Sequence, residues 1–139
     1  MSQASNYLEL KLLDHVLRNT AYTSPTTVYV GLFLNTSGNA VTNLEAGTLS
    51  DEVPNSNSYA RVAATFSAAS SGSTTTSGNI TFAAANGGDF GTITHIAILD
   101  GNTHGSGNVL FYGALTTSKT IQDGDTFQIT TGNLTVTLA

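Results

Sequence analysis

The apolar positions change period once along the chain. Between Asn6 and Arg18 they recur at helical spacing: Leu8, Leu12 and Val16 form one stripe, flanked by Leu13 and Leu17. Asn6 can cap this segment, with Glu9 three residues on as in a capping box. Asn19 and Thr20 suit its end, and Arg18 is well placed for the last turn. The pattern predicts one N-terminal α-helix over about residues 6–19. After Ser24-Pro25 the period becomes two. Residues 27–35 set Val28, Val30, Leu32 and Leu34 against Tyr29, Gly31 and Phe33, a strand with two apolar faces, as expected when both are covered. Further strands are expected at residues 59–67, around Ile80 and Phe82, and at 92–99, 109–115, 126–130 and 134–138, with a short extended piece at 119–122.

Polar segments separate these strands. Residues 36–58 form a long loop rich in Asn, Ser and Gly, of a length that usually signals function or contact with a partner. Residues 68–78 are a Ser/Thr/Gly/Ala tract that would be flexible in isolation. Asn86-Gly87-Gly88-Asp89, Asp123-Gly124-Asp125 and Thr131-Gly132-Asn133 are turn signals. The expectation is a mainly β fold: an antiparallel β-sandwich or jelly-roll-like barrel over about residues 26–139, preceded by one N-terminal α-helix. At 139 residues, a single domain spanning 1–139 is the natural count.

Composition sharpens this picture. Only 9% of the residues are charged, against roughly a quarter in an average domain. A chain so poor in charge is expected to cover much of its surface with other protein. The formal charge is −5, and the basic residues Lys11, Arg18, Arg61 and Lys119 are scattered, which argues against nucleic acid as a partner. There is no cysteine, so disulfides, thiolate metal sites and cysteine nucleophiles are excluded. No signal peptide and no membrane span are visible in the sequence.

Candidate chemistry is sparse. His15, His95 and His104 lack metal-ligand spacing, and His95 reads as a hydrogen-bonded core or interface residue. The segment opening Asp100-Gly101-Asn102 resembles the start of a calcium loop, but its twelfth position is Phe111 where a Glu is needed. Asp123 and Asp125 flank Gly124 and could hold a cation, but a turn preceding a strand is the favoured reading. No nucleophile elbow, phosphate loop or distinct carboxylate pair is present. No catalytic residue, cofactor site or metal site is therefore expected, and the chain reads as a non-enzyme. Arg61, the lone basic residue in an expected strand, reads either as a snorkelling or edge-strand charge or as half of a salt bridge across a subunit boundary. Leu8, Leu12 and Val16, together with Tyr22, Tyr29 and Tyr59, are the candidate anchors for a neighbouring subunit, since Tyr favours interfaces.

Four segments carry a resemblance over nearly the whole chain. They are Ala21-Tyr22-Thr23-Ser24-Pro25-Thr26-Thr27-Val28-Tyr29-Val30-Gly31-Leu32, Tyr59-Ala60-Arg61-Val62 leading to Phe66, Gly91-Thr92-Ile93-Thr94-His95-Ile96, and Tyr112-Gly113-Ala114-Leu115-Thr116-Thr117-Ser118-Lys119. Together they resemble a family of small virion proteins of tailed bacteriophages, variously labelled tail-fibre-like or capsid decoration proteins. The resemblance implies a structural part of the virion and brings no catalytic residues. The first expectation is a cement protein on the outer capsid, bridging capsomers by contact with the major capsid protein and with copies of itself, as a homotrimer by analogy with decoration proteins. The alternative is a tail-fibre or tail-tip component that meets other tail proteins or a host surface receptor.

Overall fold

The computed structural model describes residues 2–138. Its main sheet has five antiparallel strands: β1 (Gln3–Ala4), β2 (Val28–Phe33), β3 (Val62–Ala64), β6 (Gly91–Leu99) and β7 (Val109–Ile121), in the order β1-β7-β6-β2-β3. Two short ribbons complete the strands. One pairs β4 (Ser73–Thr75) with β9 (Thr135–Thr137), and the other pairs β5 (Ile80–Thr81) with β8 (Gln128–Ile129). Helix α1 (Asn6–Leu17) follows β1, and a second helix α2 (Ala40–Ala46) follows β2. The fold is mainly β and antiparallel, with an N-terminal helix.

Both faces of the central strands are covered. On one face Val30, Leu32, Ile96, Ile98 and Leu110 pack with Ile80, Phe82, Phe127, Ile129, Leu134 and Val136 from the ribbon side. On the other, Phe33, Ala97, Leu99, Val109 and Tyr112 pack around Leu44 of α2. This is why β2 carries apolar residues at both parities of its alternation. Of the two register shifts between β6 and β7, the one beside Leu99 adjusts the packing. The register passes from Ile98↔Phe111 to Leu99↔Val109, leaving Leu110 as the extra residue of a β-bulge. Leu110 and Phe111 consequently both join the ribbon-side core.

Several elements differ from the sequence reading, each for a local reason. The cap of α1 is Ser5, not Asn6: the Leu8 amide donates to Ser5 Oγ at 3.3 Å, and Ser5 is fully buried. The expected long loop at residues 36–58 contains α2, organised by a side chain outside it. Buried Asp51 accepts hydrogen bonds from the Ser37 amide (2.9 Å), Ser37 Oγ (2.6 Å), Thr36 Oγ1 (3.1 Å) and Asn43 Nδ2 (3.2 Å). Gly47, with φ +81°, ends the helix in the left-handed conformation. The tract at residues 68–78 is ordered through β4, which needed a partner some sixty positions away to form. The extended piece at 119–122 belongs to the same strand as 109–115, through an exposed Thr-rich stretch with no apolar alternation to reveal it.

Candidate functional site

The exposed apolar surface is not scattered. Among the described residues, the large hydrophobic side chains left exposed are Leu10 (65%), Leu13 (55%), Val16 (72%) and Leu17 (75%) on α1, Val41 on α2 and Leu138 beyond β9. Leu10, Leu13 and Leu17 follow a three-then-four spacing that lines up one side of α1. Beside that ridge lies a groove of about 500 Å³, whose walls include Ala4, Leu12, Leu13 and Leu138 with the carboxylates of Glu9 and Glu45. Val41 sits one turn before Glu45 on α2. Glu45 is itself held by a hydrogen bond from the Tyr112 hydroxyl, and burial together with that carboxylate raises the Tyr112 phenol above its ordinary pKa.

The expected stripe of α1 divides between two environments. Leu8 is buried in the main core and Leu12 packs against it half-buried, while Val16 is open to solvent. The side of the helix free for a neighbour is therefore the one bearing Leu10, Leu13 and Leu17. The spacing alone shows apolar residues around most of the helix and does not say which of them the chain's own sheet covers. The segment after α1 touches another side of the helix: the Tyr22 amide donates to His15 Nδ1 at 3.2 Å, and the Tyr22 ring lies edge-on to Tyr7 with centroids 6.5 Å apart. Tyr22 and Tyr29 are half-buried.

Tyr59, a candidate anchor, and Arg61, read as either an edge-strand charge or half of a salt bridge across a subunit boundary, are both buried within the chain. Tyr59 is 4% exposed, stacked on Phe82 and edge-on to Phe90. Its hydroxyl accepts from the Leu32 amide at 3.0 Å and donates to Glu52 Oε2 at 3.3 Å. Burial, reinforced by the Glu52 charge, pushes its phenol well above the ordinary tyrosine range. The Arg61 guanidinium forms a bidentate pair with Glu52 and donates from Nη1 to the carbonyls of Gly101 (2.8 Å) and Ser106 (2.9 Å). The Gly105 amide also reaches Glu52, at 3.2 Å, and His104 Nε2 lies 2.8 Å from the Val53 carbonyl. This cluster straps the loop between β6 and β7 onto the β2–β3 side of the sheet. Gly31 makes room for it, since a Cβ there would sit 3.2 Å from Glu52 Oε2 and 3.1 Å from the Leu99 side chain.

The acidic turns perform similar internal tasks. Asp100 accepts from the Asn108 amide and side chain, each at 2.8 Å, closing its own loop. Asp123 accepts from the Gly87 amide at 3.0 Å, and Asp125 from the Gln122 amide at 2.9 Å. His95 is buried with Nδ1 2.8 Å from Thr94 Oγ1, and burial lowers its pKa against a smaller opposing pull from Asp51. Among the described residues, no group of three His, Cys, Asp or Glu lies close enough to hold a metal, and every buried side-chain N or O has a hydrogen-bond partner. Among the described residues, no helix is long and apolar enough to cross a membrane.

Comparison with known proteins settles the family. The family described as Podophage GP4 fiber I protein gp80 matches residues 3–137. The chain belongs to that family. It is thus a tailed-phage virion protein of the tail-fibre-like kind, as the four resembling segments implied. The match supports a structural virion role and favours the tail-fibre reading over the cement reading. Membership in a fibre family implies binding to other virion components or to the host. No curated protein matches the chain.

Proposed function

We propose that this chain is a non-enzymatic structural subunit of a podophage tail fibre, acting through protein contacts rather than chemistry. The observation that carries this reading is the fibre-family match over residues 3–137. The geometry supports it in two ways. The buried ionisable groups Asp51, Glu52 and Arg61 are engaged in holding loops together. The exposed apolar side chains are gathered on α1 and its surroundings, in keeping with a surface made to be covered. Within the fibre, the chain would link neighbouring virion proteins or meet the host surface.

Labelling purified particles with an antibody to this chain, viewed by electron microscopy, tests the proposal. Label confined to the tail fibres, with far fewer copies per particle than the major capsid protein, is the expected result. Label spread over the head in numbers comparable to the major capsid protein would restore the cement reading. Absence from purified particles would overturn both.

A further inference from the structure

We propose that the groove between the outer edge of β7 and the β8 segment binds a carboxylated sugar of a surface glycan, held by Lys119. The register between β6 and β7 passes from Ile93↔Lys119 to His95↔Ala114, so Thr94 alone stands opposite residues 115–118. Such a bulge re-aims side chains away from the ladder and often neighbours a binding site. β1 covers the outer edge of β7 only at Phe111 and Tyr112, so the bulged stretch has no strand beside it on that side. It walls a groove of about 490 Å³ instead, a size within the ~300–1,000 Å³ of small-ligand sites. Buried Ile121, Phe127 and Ile129 form an apolar floor, and exposed Thr116, Thr117 and Thr126 line the rim with hydroxyls.

Charge selects the ligand. Among the described residues, three of the four Lys and Arg side chains are engaged elsewhere: Arg61 with Glu52, Arg18 with Asp14, and Lys11 over the Tyr7 ring, 5.7 Å from its centroid. Lys119 has no such partner there, is exposed, and stands in the groove wall. None of the nine Asp and Glu residues lines that groove, although the chain carries a net charge of −5. A cation without a carboxylate partner, set among hydroxyls, suits a ligand that is both hydroxyl-rich and anionic. One ammonium matches the single charge of a carboxylate, whereas a phosphate, at about −1.5 to −2, would leave charge uncompensated. Sugar hydroxyls would exchange hydrogen bonds with the Thr rim, and the C–H face of the ring would cover the apolar floor. A protein strand added to β7 fits less well, because the bulge breaks the regular spacing of backbone groups that strand addition needs. The large exposed hydrophobic residues of a protein-docking surface also lie outside this groove, on α1, α2 and at Leu138. This inference rests on the reading of the chain as a fibre subunit that meets the host surface.

Amide NMR spectra of the isotope-labelled chain, titrated with trigalacturonate, are the test, with maltotriose as the neutral comparison and a phosphorylated glucose as the phosphate one. Trigalacturonate is expected to bind with a Kd of ~1 mM, shifting amides of residues 115–121 and 126–133 and leaving α1 unmoved. Both comparison sugars should bind about fivefold more weakly or worse. Lys119→Gln, at an exposed position, should weaken trigalacturonate about tenfold, whereas Lys11→Gln should leave it unchanged. The same spectra show that each variant keeps its fold. Groove amides that do not shift by about 20 mM trigalacturonate overturn the proposal. So do shifts scattered over the surface, equal binding of the comparison sugars, or indifference to Lys119→Gln. Groove amides that respond to another virion protein and not to the sugar make the site a protein-docking edge and overturn it as well. Fibre label on particles without sugar binding sinks this inference alone. Sugar binding by a chain absent from the fibres sinks the fibre reading alone.

Discussion

Arg61 and Glu52 meet as a bidentate ion pair with neither side chain exposed, Nε lying 2.7 Å from Oε2 and Nη2 2.9 Å from Oε1. Such a pair is costly to desolvate, and its persistence depends on every remaining donor and acceptor being used. Here the other Arg61 donors take the carbonyls of Gly101 and Ser106, and Glu52 takes Tyr59 and Gly105. Breaking one half leaves an uncompensated charge in the core. Arg61→Met is therefore expected to lower stability by about 3–5 kcal/mol. The double variant Arg61→Met, Glu52→Gln should cost less than the sum of the two single changes. Urea unfolding followed by circular dichroism measures both, and strict additivity would show that the pair is not coupled.

Asp51 gives the acid limb of the stability curve. Burial alone would raise its pKa, but hydrogen bonds from Ser37, Asn43 and Thr36 outweigh that and hold it below the ordinary carboxylate value. A depressed folded pKa contributes stability that is complete above the unfolded value of about 3.9 and is lost as pH falls through the lower folded value. Asp51→Asn should remove this dependence and cost about 2–3 kcal/mol at neutral pH. Unfolding free energies of both proteins between pH 2 and 7 would show the wild-type slope and its absence in the variant.

Tyr59 and Tyr112 govern the alkaline limb. Both phenols are raised by burial and by a neighbouring carboxylate, Glu52 and Glu45 respectively. A raised folded pKa gives stability that is complete below the unfolded value of about 10 and is eroded as pH climbs beyond it. An ultraviolet titration should show these two of the five tyrosines ionising last, together with loss of structure. Tyr59→Phe should take one residue from that late phase and cost about 1–2 kcal/mol, since the Leu32 amide loses its buried acceptor.

Ser5 couples the start of α1 to the main sheet. Its hydroxyl accepts from the Leu8 amide and donates to the Val109 carbonyl, and its own amide bonds the Leu110 carbonyl at 2.9 Å. Ser5→Ala should lower stability by about 1–2 kcal/mol. Amide hydrogen exchange should report faster opening of α1 than of β6. Equal acceleration in both would mean that the helix and the sheet open as one unit.

The sequence revealed the elements whose apolar residues follow a period. β2 and β6 were visible in their own alternation, and α1 in the spacing of its leucines. Features that depend on distant partners were not visible. β4 consists of Ser73, Thr74 and Thr75, and nothing in them announces a strand until β9 lies alongside. α2 contributes Ala40 and Leu44 to the interior, too few for a helical pattern, and Asp51 organises its approach from outside the helix. Arg61 was recognisable as an anomaly in a strand, yet its partner Glu52 sat in what read as loop. The fibre family was legible as one of two labels, because motif resemblance carried the virion class without its place in the particle. The surface on α1 was half legible: a helix apolar on most of its circumference does not declare which leucines its own sheet will take.

The contact between Ser2 and Thr137 has a practical consequence. Thr137 donates its amide to Ser2 Oγ at 3.1 Å, so these two positions lie side by side. A linker of a few residues is expected to join these positions into a ring. New ends could then be opened at Gly38, where a side chain would meet nothing within 4 Å. A reporter inserted beside Ser2 or Thr137 would emerge at the α1 groove, whereas one inserted at Gly38 would emerge from the turn that leads into α2.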